Sequence, residues 1–153
     1  MDKGDVVEDF SLPDETGTTR SLSGLLESGP VVLYFYPMAM TKGCTAESCH
    51  FRDLGAEFAA LGAQRVGISA DAVDRQAAFS EKNAFDFPLL SDADGTVAKR
   101  FGVKRSFGPL PVKRRTFVID TDARVIEVIS SETRMAVHAD RALEVLRARA
   151  ARS

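Results

Sequence analysis

Six consecutive apolar or aromatic residues, Val31 to Tyr36, stand between Gly29-Pro30 and Pro37 without a polar residue among them. A short run of that kind bounded by turn residues is the pattern of a strand covered on both faces, so it predicts the middle of a sheet. Beyond the turn signals of Pro37 and Gly43 the period changes. Phe51, Leu54, Phe58 and Leu61 recur at spacings of three and four, which predicts one amphipathic helix with both cysteines, Cys44 and Cys49, near its beginning. Arg65 to Ser69 reads as a second buried strand, and Asp71 to Ala84 as a helix with Asp71 placed to cap its N-terminus. Pro88 to Leu90 predicts a short strand, Gly95 to Phe101 a short helix, and Thr116 to Ile119 with Val125 to Ile129 a hairpin turning at Asp120-Thr121-Asp122. Lys104 to Pro111, with two prolines and Gly108, reads as a loop, and a last helix is expected from about Ala139 to Arg149.

Strands alternating with helices and ending in a hairpin predict an α/β sandwich, a mixed central sheet with helices on both faces. No internal repeat, low-complexity stretch or flexible linker divides the chain, so residues 1–153 are expected to form a single domain.

Composition narrows the function classes. The chain has 153 residues, 44% hydrophobic and 27% charged, with a formal net charge of -2, which suits a globular protein with a core of its own. Acidic and basic residues are interspersed, so neither nucleic acid nor an anionic membrane surface is an expected partner. The arginines between Arg141 and Arg152 alternate with Leu143, Val145 and Leu146 and read as the cationic face of a surface helix. No apolar run is long enough to cross a bilayer. The acidic start, Met1 to Phe10, lacks a secretory leader, and the cytoplasm is the expected compartment. Two neighbouring cysteines there are more often catalytic, redox-active or metal-binding than structural.

Cys44 falls where a strand gives way to a helix. The first helical turn leaves backbone N–H groups unpaired and carries a partial positive charge, so it favours thiolate, the nucleophilic form of cysteine. Thr41, three residues earlier, is placed to offer its hydroxyl to that anion or to a substrate oxygen. A metal site from Cys44, Cys49, His50 and His138 is the rival reading, but the spacing is poor and both histidines read as packing or surface residues. Met38 and Met40 read as fillers of irregular core space.

Pro37, Thr41 and Cys44 match the signature Pro, three residues, Thr, two residues, Cys of the peroxiredoxins. With Glu47, Cys49, Phe51-Arg52-Asp53 and Arg114-Arg115-Thr116-Phe117-Val118-Ile119-Asp120, the chain resembles the bacterioferritin-comigratory, or Q-type, subfamily over nearly its whole length. That resemblance implies a thioredoxin-like fold and a thiol peroxidase without metal or other cofactor, acting on hydrogen peroxide and organic hydroperoxides. It assigns Cys44 as the peroxidatic cysteine that becomes sulfenic acid, Thr41 and Arg114 as the side chains holding peroxide and thiolate, and Pro37 as a support of the loop. Cys49 is then the resolving cysteine, forming a transient disulfide that a thioredoxin-like reductant reopens, in a monomer or weak homodimer. Arg114 is preferred to Arg115 because the family arginine stands three residues before the aromatic of the next strand, here Phe117, and neighbours on a strand face opposite ways. Glu47 lies on the apolar face of its helix and needs a cationic or hydrogen-bonding partner, for which Arg114 is the candidate.

On an intact helix the two cysteines differ by about 140° and about 7.5 Å of rise, so bridging them requires the helix to open. This suits a catalytic disulfide better than a permanent one. A general thiol-disulfide oxidoreductase would normally show Cys-x-x-Cys. A non-catalytic redox sensor is the other alternative, separable by peroxide turnover.

Overall fold

The structure, a computed structural model, describes residues 1–152. The elements follow in the order β1 (Ser11–Pro13), β2 (Thr19–Ser21), α1 (Leu22–Leu26), β3 (Val31–Phe35), α2 (Lys42–Asp53), α3 (Gly55–Ala60), β4 (Gln64–Ser69), α4 (Val73–Asn83), β5 (Leu89–Ser91), α5 (Thr96–Arg100), β6 (Arg115–Ile119), β7 (Val125–Ser130) and α6 (Ala136–Arg152). A five-stranded sheet runs in the order β5-β4-β3-β6-β7. Strands β3, β4 and β5 pair in parallel, and β6 and β7 add antiparallel neighbours on the other side of β3.

The apolar run at β3 is central, and its side chains divide between two cores. Val31, Leu33 and Phe35 face one side, where they meet Val66, Ile68, Phe117 and Ile119 under α1 and α5. Val32, Tyr34 and Tyr36 face the other, where Phe51, Phe58, Phe79, Leu143 and Leu146 bring α2, α3, α4 and α6 onto the sheet. Period-two alternation of uniformly apolar residues needs helices on both faces, and the fold supplies them. Tyr34 lies across Gly67 of the neighbouring strand, and a Cβ there would stand 2.9 Å from the Tyr34 ring, so this position must be glycine. On its other side the ring stacks on Phe51 at 4.4 Å between centroids, fixing α2 over the sheet.

Three expectations are corrected. The single cysteine-bearing helix is two: α2 ends at Asp53, Leu54 leaves the helical region at φ -94° and ψ 16°, and α3 starts at Gly55. Gly55 is held close to the Arg65 guanidinium, 3.1 Å from where a Cβ would sit, and that close approach occupies the bend. Asp71 does not cap α4; Ala72 occupies the N-cap, and the Asp71 carboxylate accepts instead from the Ala39 amide at 2.8 Å and the Ser69 hydroxyl at 2.6 Å. Met38 is 37% exposed and does not fill the core, whereas Met40 is partly buried against it. The β1–β2 hairpin and α1 had no clear signal in a segment dominated by Ser, Thr and short charged residues.

Candidate active site

The site forms where β3 ends. Pro37 closes the strand and is buried, and the chain turns through Met38 to Thr41 before entering α2. Met40 takes a positive φ of 70°, a left-handed conformation that a tight turn imposes here on a side-chain-bearing residue. Two charged residues from α4 and the segment before it hold this turn. Asp71 accepts from the Ala39 N–H, Arg75 donates to the Ala39 carbonyl at 3.2 Å, and the pair is itself bridged at 3.2 Å. Sequence reasoning had no means of finding these two as loop supports, because a residue before a helix looks the same whether it caps or reaches elsewhere.

Thr41 is the N-cap residue of α2, so Cys44 falls in the first turn, where amide N–H groups point outward without helical acceptors. The Thr41 hydroxyl does not donate to Cys44. It donates to the Met38 carbonyl at 2.8 Å and braces the turn, leaving its oxygen lone pairs free to accept.

Cys44 is fully buried, and its Sγ accepts a hydrogen bond from Arg114 Nη2 at 3.4 Å. Arg114 Nη1 donates to Glu47 Oε1 at 2.7 Å. One guanidinium therefore spans the thiol and a carboxylate one helical turn away, and it is itself 6% exposed. Its backbone N–H is anchored by Glu132 at 3.0 Å. Arg115 points elsewhere, to the Ser130 hydroxyl and toward Glu132, so of the two adjacent arginines it is Arg114, the one the family resemblance indicated, that reaches Cys44. Gly43 packs against Arg114, where a Cβ would stand 3.4 Å from Nη2.

Glu47 is 0% exposed, and burial pushes its carboxyl up to about 7 despite the attraction and hydrogen bond of Arg114. Burial acts on Arg114 in the opposite sense, lowering it, but Glu47 and Cys44 outweigh that and hold the guanidinium above its ordinary value. The asymmetry follows from exposure: the carboxylate has no access to water and a second oxygen, Oε2, without a hydrogen-bond donor.

His138, expected to be a packing or surface residue, is a buried member of this cluster. Its Nε2 donates to the Ser131 carbonyl at 2.8 Å, and with that proton placed, Nδ1 accepts from the Thr116 hydroxyl at 2.7 Å. Glu47 Oε2 lies 3.6 Å from Nε2. Burial lowers the histidine below its ordinary value, opposed by the Ser131 bond and reinforced by the nearby Arg114 charge. His50 lies outside the cluster and pairs with Asp140 at 2.8 Å. The four side chains weighed as metal ligands do not converge among the described residues.

Cys49 sits in the same helix as Cys44 but is only half-buried, and both thiols are free. Its Sγ is directed at Asn83 Oδ1, 3.8 Å away at the end of α4. The two sulfurs thus occupy opposite sides of an intact helix, one facing Arg114 and the other facing α4.

Comparison with known proteins gives a consistent result. The AhpC/TSA family matches residues 3–128. The crystal structure of peroxidoxin BcpB from Mycobacterium tuberculosis superposes with a TM-score of 0.93 at 65% identity, covering 97% of each chain. The bacterioferritin comigratory protein of Xanthomonas campestris, described for its alkyl peroxide reduction activity, matches at a TM-score of 0.84 and 34% identity over 92% of each chain. A chloroplastic peroxiredoxin Q from Sedum lineare is 40% identical over 145 residues, 94% of this chain and 77% of that one.

Proposed function

The chain belongs to the AhpC/TSA family and is a peroxiredoxin, a thiol peroxidase of thioredoxin-like fold, and from that premise we propose that Cys44 is its peroxidatic residue and Cys49 its resolving one. The observation that carries the assignment is the Arg114 guanidinium shared between Cys44 Sγ and Glu47. A buried cation touching one thiol and not the other marks Cys44 as the reacting sulfur and remains in place for the charge that develops on the departing oxygen.

In the first step the Cys44 thiolate attacks the terminal peroxide oxygen. A sulfur–oxygen bond forms, the oxygen–oxygen bond breaks, and the leaving oxyanion takes up the proton released by the thiol to become an alcohol or water. Cys44 is oxidised to sulfenic acid and the peroxide is reduced. Thr41, with lone pairs unused by its bond to Met38, accepts from the hydroperoxide O–H, and Pro37 holds the turn that presents it. In the second step the Cys49 thiolate attacks the Cys44 sulfur, a disulfide forms, and the hydroxyl leaves as water once protonated. A dithiol of the thioredoxin class then reduces the bridge by exchange. Hydrogen peroxide and organic hydroperoxides are the substrates. Glu47 positions Arg114.

The test separates the two thiols. Cys44→Ser should abolish peroxide consumption. Cys49→Ser should react once and accumulate a sulfenic acid that dimedone traps. Equal reactivity of both variants toward peroxide would overturn the assignment.

A further inference from the structure

The bond between Cys49 and Asn83 belongs to a larger arrangement that the chemistry at Cys44 does not use. Helix α4 ends at Asn83, because Ala84 adopts the left-handed conformation with φ 53° and ψ 47°. The Asn83 carbonyl is therefore one of the acceptors that a helix end leaves without an internal partner, and Arg52 Nη1 of α2 fills it at 2.8 Å. The Asn83 side chain is fixed as well. Its Nδ2 donates back to the Phe79 carbonyl at 3.0 Å, which aims Oδ1 at Cys49 Sγ, 3.8 Å away. Two residues of α2, Cys49 and Arg52, thus grip one residue of α4. They lie in the part of α2 that must leave its helical position before Cys49 can meet Cys44, since residues five apart on a helix exceed disulfide reach. Between them, on the other face of α2, the helix is held by different means: the Phe51 ring is fully buried, and its carbonyl accepts from Arg65 at 3.0 Å. The fastening at Asn83 consists of part-buried polar contacts, whereas the one at Phe51 includes a fully buried aromatic ring.

We propose that Asn83, together with Arg52, is a positioning latch for the second half of the reaction, holding Cys49 against α4 and so slowing conversion of the Cys44 sulfenic acid to the disulfide without affecting its formation. The inference rests on the reading of Cys49 as the resolving thiol. A latch of this kind lengthens the life of the sulfenic acid. It therefore sets how much Cys44 is driven on to sulfinic acid when peroxide is in excess.

The test uses the full chain, reduced and then mixed rapidly with hydrogen peroxide, quenched at intervals in acid and weighed by mass spectrometry. Three proteins are compared: the unaltered chain, Asn83→Ala and Arg52→Ala. The second-order rate of Cys44 oxidation should stay within about twofold in all three, which also reports that the site has folded. The rate of disulfide formation should rise about threefold to tenfold in each variant, the range that loss of one or two ordinary hydrogen bonds represents. The sulfinic acid yield at high peroxide should fall in proportion. Rates of disulfide formation equal to or slower than that of the unaltered chain in both variants would overturn the latch while leaving Cys49 as the resolving thiol. Absence of a Cys44–Cys49 disulfide in the unaltered chain itself would instead overturn that reading, and the latch with it.

Discussion

Glu47→Gln separates charge from shape at a fully buried ionisable group of the site. The wild-type carboxyl moves from an ordinary 4.5 to about 7 on folding. Between those values the native protein holds a proton that the unfolded chain has lost, so stability falls as pH rises through the window. Integrated from pH 5 to pH 8, the loss from this one group is about 2–3 kcal/mol. Glutamine keeps the bond from Arg114 through its oxygen but cannot titrate. Its amide N–H2 would face His138 Nε2, a donor already committed to Ser131, and that unsatisfied pairing costs about 1–3 kcal/mol at every pH. The variant should therefore be less stable than wild type at pH 5, and the difference should shift in its favour by about 2–3 kcal/mol by pH 8. For a chain of this length that corresponds to roughly 5–10 °C in relative Tm. His138 and Glu132 are common to both proteins and largely cancel in the comparison. Circular dichroism during thermal and urea unfolding of both proteins, under reducing conditions at pH 5, 6, 7 and 8, measures it. A wild-type-minus-variant difference that is the same at pH 5 and pH 8 would refute the reasoning, because Glu47 would then not change protonation on folding in that range.

Two further outcomes follow from the same geometry. Arg114→Ala removes the cation touching both Cys44 and Glu47, and the rate of the peroxide step should fall by roughly 100- to 1000-fold, the usual effect of deleting one donor to a developing oxyanion; Arg115→Ala, whose side chain bonds Ser130, should change it by less than about threefold, and stopped-flow rates ranking the two the other way would place the wrong arginine at the thiol. Oxidation should speed amide hydrogen exchange from Thr45 to about Arg52, while the Phe58 region, fully buried, should change little; identical protection in reduced and disulfide forms would mean that α2 need not open.

Much of this site was legible before any coordinates. The run from Val31 to Tyr36 read as a two-faced strand, and Pro37 and Gly43 marked the turn that follows it, on which the family signature of Pro37, Thr41 and Cys44 falls. Glu47 fell on the apolar face and so needed a cationic or hydrogen-bonding partner, and the family resemblance pointed to Arg114, whose Nη1 stands 2.7 Å from the Glu47 carboxylate. What stayed hidden depends on contacts between segments distant in sequence. Asp71 looked like a helix cap because capping is the local use of an aspartate, yet Ala39, 32 residues away, claims its carboxylate. His138 looked like packing because its partners, Thr116 and Ser131, belong to other elements. The break at Leu54 was masked by an apolar spacing that continues across it, and the role of Asn83 depends on a left-handed residue, Ala84, at a position where alanine rarely takes that conformation.

The most direct measurement is mass spectrometry of the reduced protein after one equivalent of hydrogen peroxide. The account predicts a product lighter by two hydrogens, with the new bond mapped between Cys44 and Cys49 and no link between chains. Protein that consumes the peroxide while both thiols remain free, or that bridges only between molecules, would contradict it.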